Sequence, residues 1–329
     1  TVDVGGLTSN NIGNSSEWAI LDNTITLEFN SNDTLLVAPI VTFRSGGQSF
    51  INSFEMGKDT NPGLTGNTYT ATYTVNSDDT HDGLIFYKIS SIEDRAGNQG
   101  VDLEGNSTLK LDSTKPTIVD SSINLIGTVN PNWVKEGETI QLTFNASESL
   151  KTAPKVEFKW GTTGDTYESA EGGVGVAATV DIITQSAAAA ASGICWGATY
   201  DVPTTVDYTG KVFYKISNIN DRAGNDGVDK YGSSNLKIDT KKPKLDTITW
   251  HKTENGPSIT ASTGDTYFKA NESVYIKFVY DEDITSSGVG SFVSLSGFLD
   301  ASGTLENSQP NANFVKQDGA RTLIYKYDV

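Results

Sequence analysis

The chain has 329 residues, with 24 Lys+Arg against 41 Asp+Glu, a formal charge of −17 and a hydrophobic share of 36%. So large an acidic excess disfavours nucleic acid and anionic membranes as partners and leaves cations as the favoured small ones. One Cys and two His can make neither an intrachain disulfide nor a thiol–imidazole zinc site, and no apolar run approaches the ~18 residues of a membrane span.

In chain order, residues 24–30 (TITLEFN) return as residues 139–145 (TIQLTFN), and Ala38-Pro39 returns as Ala153-Pro154, both at an offset of 115. Further on, LIFYKISSIEDRAGNQGVDLEGNSTLKLDSTKP (84–116) returns as KVFYKISNINDRAGNDGVDKYGSSNLKIDTKKP (211–243) at an offset of 127. The second copy therefore carries about 12 extra residues, with the alanine run at 187–191 as their obvious part. A third copy starts after Pro243, with SVYIKF (273–278) as its TIxLxF strand and Tyr327-Asp328-Val329 matching Tyr200-Asp201-Val202. These matches predict repeats at 1–115, 116–242 and 243–329, the last incomplete, and a window cut from a longer array.

Inside each repeat the period is two. Ile140, Leu142 and Phe144 alternate with polar residues, Val156 and Phe158 do the same, and Leu236 and Ile238 flank Lys237. In VFYKIS, Val212, Tyr214 and Ile216 fall on one face, and Phe213 and Lys215 on the other. Such alternation, rich in Thr, Val, Ile, Tyr and Phe, predicts half-buried antiparallel strands. About seven strands per repeat, separated by Gly/Asn/Asp turns, point to an all-β chain of tandem immunoglobulin-like antiparallel β-sandwiches. The linkers at 112–116 (DSTKP) and 239–243 (DTKKP) are short and end in Pro, whose fixed φ limits bending, so a semi-rigid rod is expected.

The DRAGN turn, the strand ending in D-x-x-K-P and the following E-G/S-x-x-I/V-x-L/I-x-F strand resemble the prokaryotic immunoglobulin-like repeats of giant adhesins and S-layer proteins. The lack of disulfides, the acidity and the Asn/Thr/Ser richness are most similar to S-layer proteins of ammonia-oxidising archaea. The resemblance implies an extracellular, cell-surface, non-enzymatic structural protein that self-associates into a porous acidic lattice. The alternatives are the stalk of an adhesin or the subunit of a surface filament. It also implies dependence on divalent ions such as Ca²⁺.

Two groups of residues are cation candidates. DRAGN recurs unchanged, so Asp94, Asn98 and Asp102 in one copy, and Asp221, Asn225 and Asp229 in the other, offer the hard oxygen ligands that Ca²⁺ prefers. A tight turn, in which Asp and Asn bond the local backbone and Gly97 or Gly224 supplies a positive φ, explains the same residues without a metal. Asp112 and Asp239, at the linkers, could share a cation with a loop of the neighbouring sandwich, or pair with Lys115 or Lys242. Five N-x-S/T sequons, at Asn14, Asn32, Asn106, Asn145 and Asn271, would carry glycans on an exported archaeal or eukaryotic protein. Cys195, His81 and His251 fall in no nucleophile–base arrangement, and Cys195 reads as a small residue packed near Trp196.

Overall fold

The structure, a computed structural model, describes residues 1–11, 16–170, 172–177, 179–182, 194–204, 208–259, 268, 271–285, 291–295 and 310–329. The alanine run and Asn14 lie outside the described residues. The chain divides into two compact units, Thr1–Thr240 and Lys241–Val329.

The first unit contains two sandwiches. In the first sandwich, β1 (Val2–Ser9), β3 (Thr24–Ser31), β7 (Thr68–Thr74) and β6 (Gly63–Thr65) form one sheet in the order β1-β3-β7-β6. The facing sheet has the order β2-β9-β8-β4-β5, from β2 (Trp18–Ala19), β4 (Ile40–Ser45), β5 (Phe54–Asp59), β8 (Gly83–Ser90) and β9 (Leu103–Leu111). The second sandwich repeats this plan. Its four-stranded sheet runs β10-β12-β16-β15, made of β10 (Asn124–Gly127), β12 (Thr139–Asn145), β15 (Thr179–Ile182) and β16 (Cys195–Asp201). Its five-stranded sheet runs β11-β18-β17-β13-β14, made of β11 (Trp133–Val134), β13 (Lys155–Gly161), β14 (Gly172–Ala177), β17 (Thr209–Ser217) and β18 (Lys230–Asp239).

Alternation places the cores as expected. Ile25, Leu27 and Phe29 from one sheet meet Val41, Phe43, Ile85 and Ile89 from the other, all fully buried. Ile140, Leu142 and Phe144 meet Val156, Phe158, Val212 and Ile216 in the second sandwich. Each such side chain is worth roughly 1.5–3 kcal/mol of burial, which lets the sandwiches cohere without disulfides. Not every strand pair is antiparallel: Trp18–Ala19 runs parallel to β9, and Trp133–Val134 runs parallel to β18. Phe213, expected on the outer face, is nevertheless buried, because Tyr167 and Ala170 fold over that face and cover it.

The second unit holds one described five-stranded sheet, β19 (Leu245–His251), β20 (Ser273–Tyr280), β23 (Thr322–Asp328), β22 (Asn311–Asp318) and β21 (Phe292–Ser294), in that order. Val274 and Ile276 are buried in it. Ser273 pairs with Asp328 as Thr139 pairs with Asp201, and each hydroxyl donates 2.6 Å to the aspartate. Among the described residues the helical structure is a three-residue 3-10 turn, Asp120–Ser122, and no helix is long and apolar enough to cross a membrane.

Candidate metal centre at the repeat junction

Both DRAGN segments fold as the same tight turn. In the first copy Asp94 Oδ1 accepts from the Ala96 and Asn98 backbone N–H groups (2.9 and 2.8 Å), and Oδ2 accepts from Asn98 Nδ2 (2.8 Å). In the second, Asp221 Oδ1 accepts from the Gly224 and Asn225 N–H groups (2.6 and 2.9 Å), and Oδ2 accepts from Asn225 Nδ2 (2.9 Å). Gly97 and Gly224 sit at φ 89° and 107°, where a side chain would be strained. The turn is thus a sufficient reason for the motif in each copy.

The surroundings of the two copies differ. Residues 95–98 are exposed, whereas Asp221 is 1% and Asn225 5% accessible. The cover comes from the first sandwich and the linker. Asn225 Nδ2 donates to the Asp112 carbonyl (3.1 Å), and Asn11 Nδ2 donates to the Ala223 carbonyl (2.9 Å). The linker is held at every step. Asp112 N bonds Ala19 O (2.9 Å), and Asp82 accepts from Ser113 N, Ser113 Oγ and Thr114 Oγ1 (2.6, 2.7 and 2.5 Å). Thr117 N reaches Ser147 Oγ at 2.9 Å. Pro116 O lies against Gly227, where a Cβ would come within 2.3 Å of it.

This clamp brings three carboxylates from three segments together. One oxygen each from Asp112, Glu148 and Asp221 lies within 4.8 Å of the others, the one such acidic group among the described residues. Opposite ligands of a single Ca²⁺ at ~2.4 Å span about the same distance. Glu148 Oε1 is buried and has no hydrogen-bond partner. Burial, with Asp221 and Asp82 nearby, pushes the Asp112 carboxyl up to about 6. Burial, then Asp112, Asp221 and Asp82, pushes Glu148 up to about 7. No lysine or arginine among the described residues offsets them; Asp112 instead accepts from Thr114 N at 3.2 Å, so the expected pairing with Lys115 is not formed. An all-oxygen set carrying three negative charges, with one oxygen buried and unbonded, fits a hard divalent cation.

The other candidates are elsewhere. Asp102 and Asp229 are not brought to the turns: they pair with Lys88 (3.0 Å) and Lys215 (2.9 Å), the same cross-strand ion pair in each sandwich. Asp239 accepts from Thr209 Oγ1 at 2.8 Å. Asn32, Asn106 and Asn271 are exposed, Asn106 within β9 and not beside a turn, while Asn145 is half-buried at the end of β12. Cys195 is buried beside Trp196, His81 stacks on Phe54 (3.6 Å between rings), and the His251 ring contacts Thr249 Oγ1 and Gly256 O.

Reading the sequence for motifs missed Glu148. A signal for Glu148 was present: an acid follows the TIxLxF phenylalanine by four positions in all three copies, Asp33 after Phe29, Glu148 after Phe144 and Glu282 after Phe278. Asp82 belongs to the Asp78-Asp79, His81-Asp82 stretch, which by its sequence could catch a cation but reads first as an exposed loop. In comparisons with known proteins, no family model matches the chain and no curated protein matches it.

Proposed function

We propose that the chain is part of an extracellular structural protein of S-layer type, built of tandem immunoglobulin-like sandwiches, in which a bound divalent cation of the Ca²⁺ class locks one repeat onto the next. The carboxylate triad at the first junction carries this reading. Three like charges held together by a hydrogen-bonded clamp oppose the docked arrangement unless protons or a cation neutralise them. A cation there would join Asp112 of the linker to Glu148 and Asp221 of the second sandwich, while Asp82 holds the linker at Ser113 and Thr114 and Asn11 bonds the Ala223 carbonyl of the turn. Metal binding to the docked but not the undocked state stabilises docking by mass action.

The near-duplication of the units supports a scaffold, in which many equal modules are useful, and the parallel pairing of a short early strand with the last strand in each sandwich supports the immunoglobulin-like reading. The charge of −17 supports a coat that concentrates cations and repels anions. Electron microscopy of the purified full-length protein in millimolar Ca²⁺, and again after chelation, tests the assembly. Sheets that form with Ca²⁺ and dissolve without it are expected. Separate particles in both conditions would overturn the lattice reading and favour an adhesin stalk.

A further inference from the structure

The outer face of the second sandwich holds a cleft. Trp133 pairs with Lys237, Lys237 with Lys211, and Lys211 with Gly161, so four strands contribute one row across the sheet. Residues paired in this way point to the same face. The buried neighbours Leu236 and Ile238 fix that face as the outer one. Along the row lies a cleft of about 360 Å³, lined by Trp133, Lys211, Lys237, Asn132, Asn235 and Thr163, a size at the lower end of small-ligand sites.

Two features of the lining call for an anion. Lys211 and Lys237 are directly opposed on antiparallel strands, an arrangement that is destabilising for like charges. Neither forms an ion pair among the described residues. Lys237 Nζ lies over the Trp133 ring (5.0 Å) and Lys211 Nζ over the Phe213 ring (5.7 Å). Two acids border the row and both are engaged elsewhere: Asp239, on the same face beside the lysine pair, accepts from Thr209 Oγ1 (2.8 Å), and Asp165, beyond Gly161, accepts through Oδ2 from Thr162 N and Oγ1 (2.5 and 3.0 Å). In a chain of net charge −17, two directly opposed lysines that form no ion pair among the described residues stand out from the rest of the surface.

The remainder of the lining suits a ring bearing hydroxyls. Trp133 is 42% exposed and offers an aromatic surface. The side-chain amides of Asn132 and Asn235 have no hydrogen-bond partner among the described residues. The first sandwich has the same Trp–Lys pair, Trp18 with Lys110, but places Leu84 where the second has Lys211, and Glu17 where it has Asn132. The Trp–Lys pair is therefore part of the shared framework, and the second lysine and the amide are particular to this face.

We propose that this cleft binds a carboxylated sugar, such as the uronic-acid unit of an acidic polysaccharide. The sugar carboxylate sits between the Lys211 and Lys237 ammonium groups, its hydroxyls bond Asn132, Asn235 and Thr163, and its ring lies against Trp133. The test is calorimetric titration of the whole chain with a galacturonate oligomer at low salt and with chelator present, because such oligomers themselves bind Ca²⁺. The expected result is a Kd on the order of 0.1 mM, weakened about tenfold or more in Lys211→Leu, which installs the residue the first sandwich carries there, and in Trp133→Ala. A neutral glucose oligomer should give no heat. Absence of binding, or equal binding by Lys211→Leu with its fold intact by circular dichroism, would overturn the proposal. So would equal binding of a glutamate-rich peptide, which would show an anion site without sugar selectivity.

Discussion

The two DRAGN turns are the same five residues, and in both the aspartate accepts from the asparagine N–H and from its side-chain amide, yet one lies open and the other is sealed beneath a linker. Around 94–98 the turn ends a loop and faces solvent, and Asp33, the counterpart of Glu148, is exposed. Around 221–225 the turn receives Asn11 and Asp112 from the preceding sandwich and linker, Pro116 lies against Gly227 just beyond it, and the same aspartate joins Asp112 and Glu148 in an acidic cluster. The motif alone is a turn. It becomes a candidate metal centre only where another repeat supplies the third carboxylate and excludes water. The difference between the copies therefore lies in their neighbours and not in their sequence.

The largest test of that contrast removes the turn carboxylate. Asp221→Ala strips the acceptor from two buried N–H groups and the Asn225 amide, and should lower stability by about 2–3 kcal/mol in urea unfolding, even after relief of repulsion with Asp112 and Glu148. Asp94→Ala, whose freed groups reach water, should cost clearly less. Equal losses would mean that burial at the junction contributes nothing. A second pair probes the linker. Gly227→Ala would set a Cβ within 2.3 Å of Pro116 O, while the nearest atom to a Cβ at Gly100 is the Ile92 Cγ2, at 2.7 Å. We expect about 2 kcal/mol from Gly227→Ala, with faster hydrogen exchange at 112–119. Gly100→Ala should leave exchange in that segment unchanged.

The smallest effect is the dependence on pH. Asp112 rises from 3.8 to about 6 and Glu148 from 4.5 to about 7, so the folded state holds more protons than the unfolded state across that interval. Stability of the chelator-treated chain should therefore fall as pH rises from about 4 to 7 and level off above it, by on the order of 1 kcal/mol once solvent screening is allowed for. Thermal unfolding at a series of pH values reads this directly. Saturating Ca²⁺ should flatten or invert the slope, since a cation and the protons compete for the same oxygens.

Much of the fold was legible in the sequence because alternation in TITLEFN, TIQLTFN and VEFKW reports a single buried face, and Ile25, Leu142 and Phe158 are buried as that pattern requires. Phe213 departed from it because a loop distant in sequence covers the outer face, and period-two reasoning sees only one strand at a time. The junction was half legible. Asp112 and Asp221 stood out through linker position and motif, but their meeting depends on how the first sandwich docks, which no local pattern encodes. Glu148 recurs as Asp33 and Glu282 without a repeated residue type, so only its acidity is shared. Asp102 and Asp229 drew attention by spacing, whereas their partners Lys88 and Lys215 are set by strand register.

The most direct test of the central claim is calorimetric titration of the chain with Ca²⁺ at pH 7.5, beside the Glu148→Gln and Asp112→Asn variants. The account predicts one site with a Kd on the order of 0.1–1 mM in the unaltered chain. Either substitution should abolish it while leaving the metal-free protein as stable or slightly more so, because each removes a buried like charge. Binding that persists unchanged in both variants would place any cation elsewhere and contradict the account.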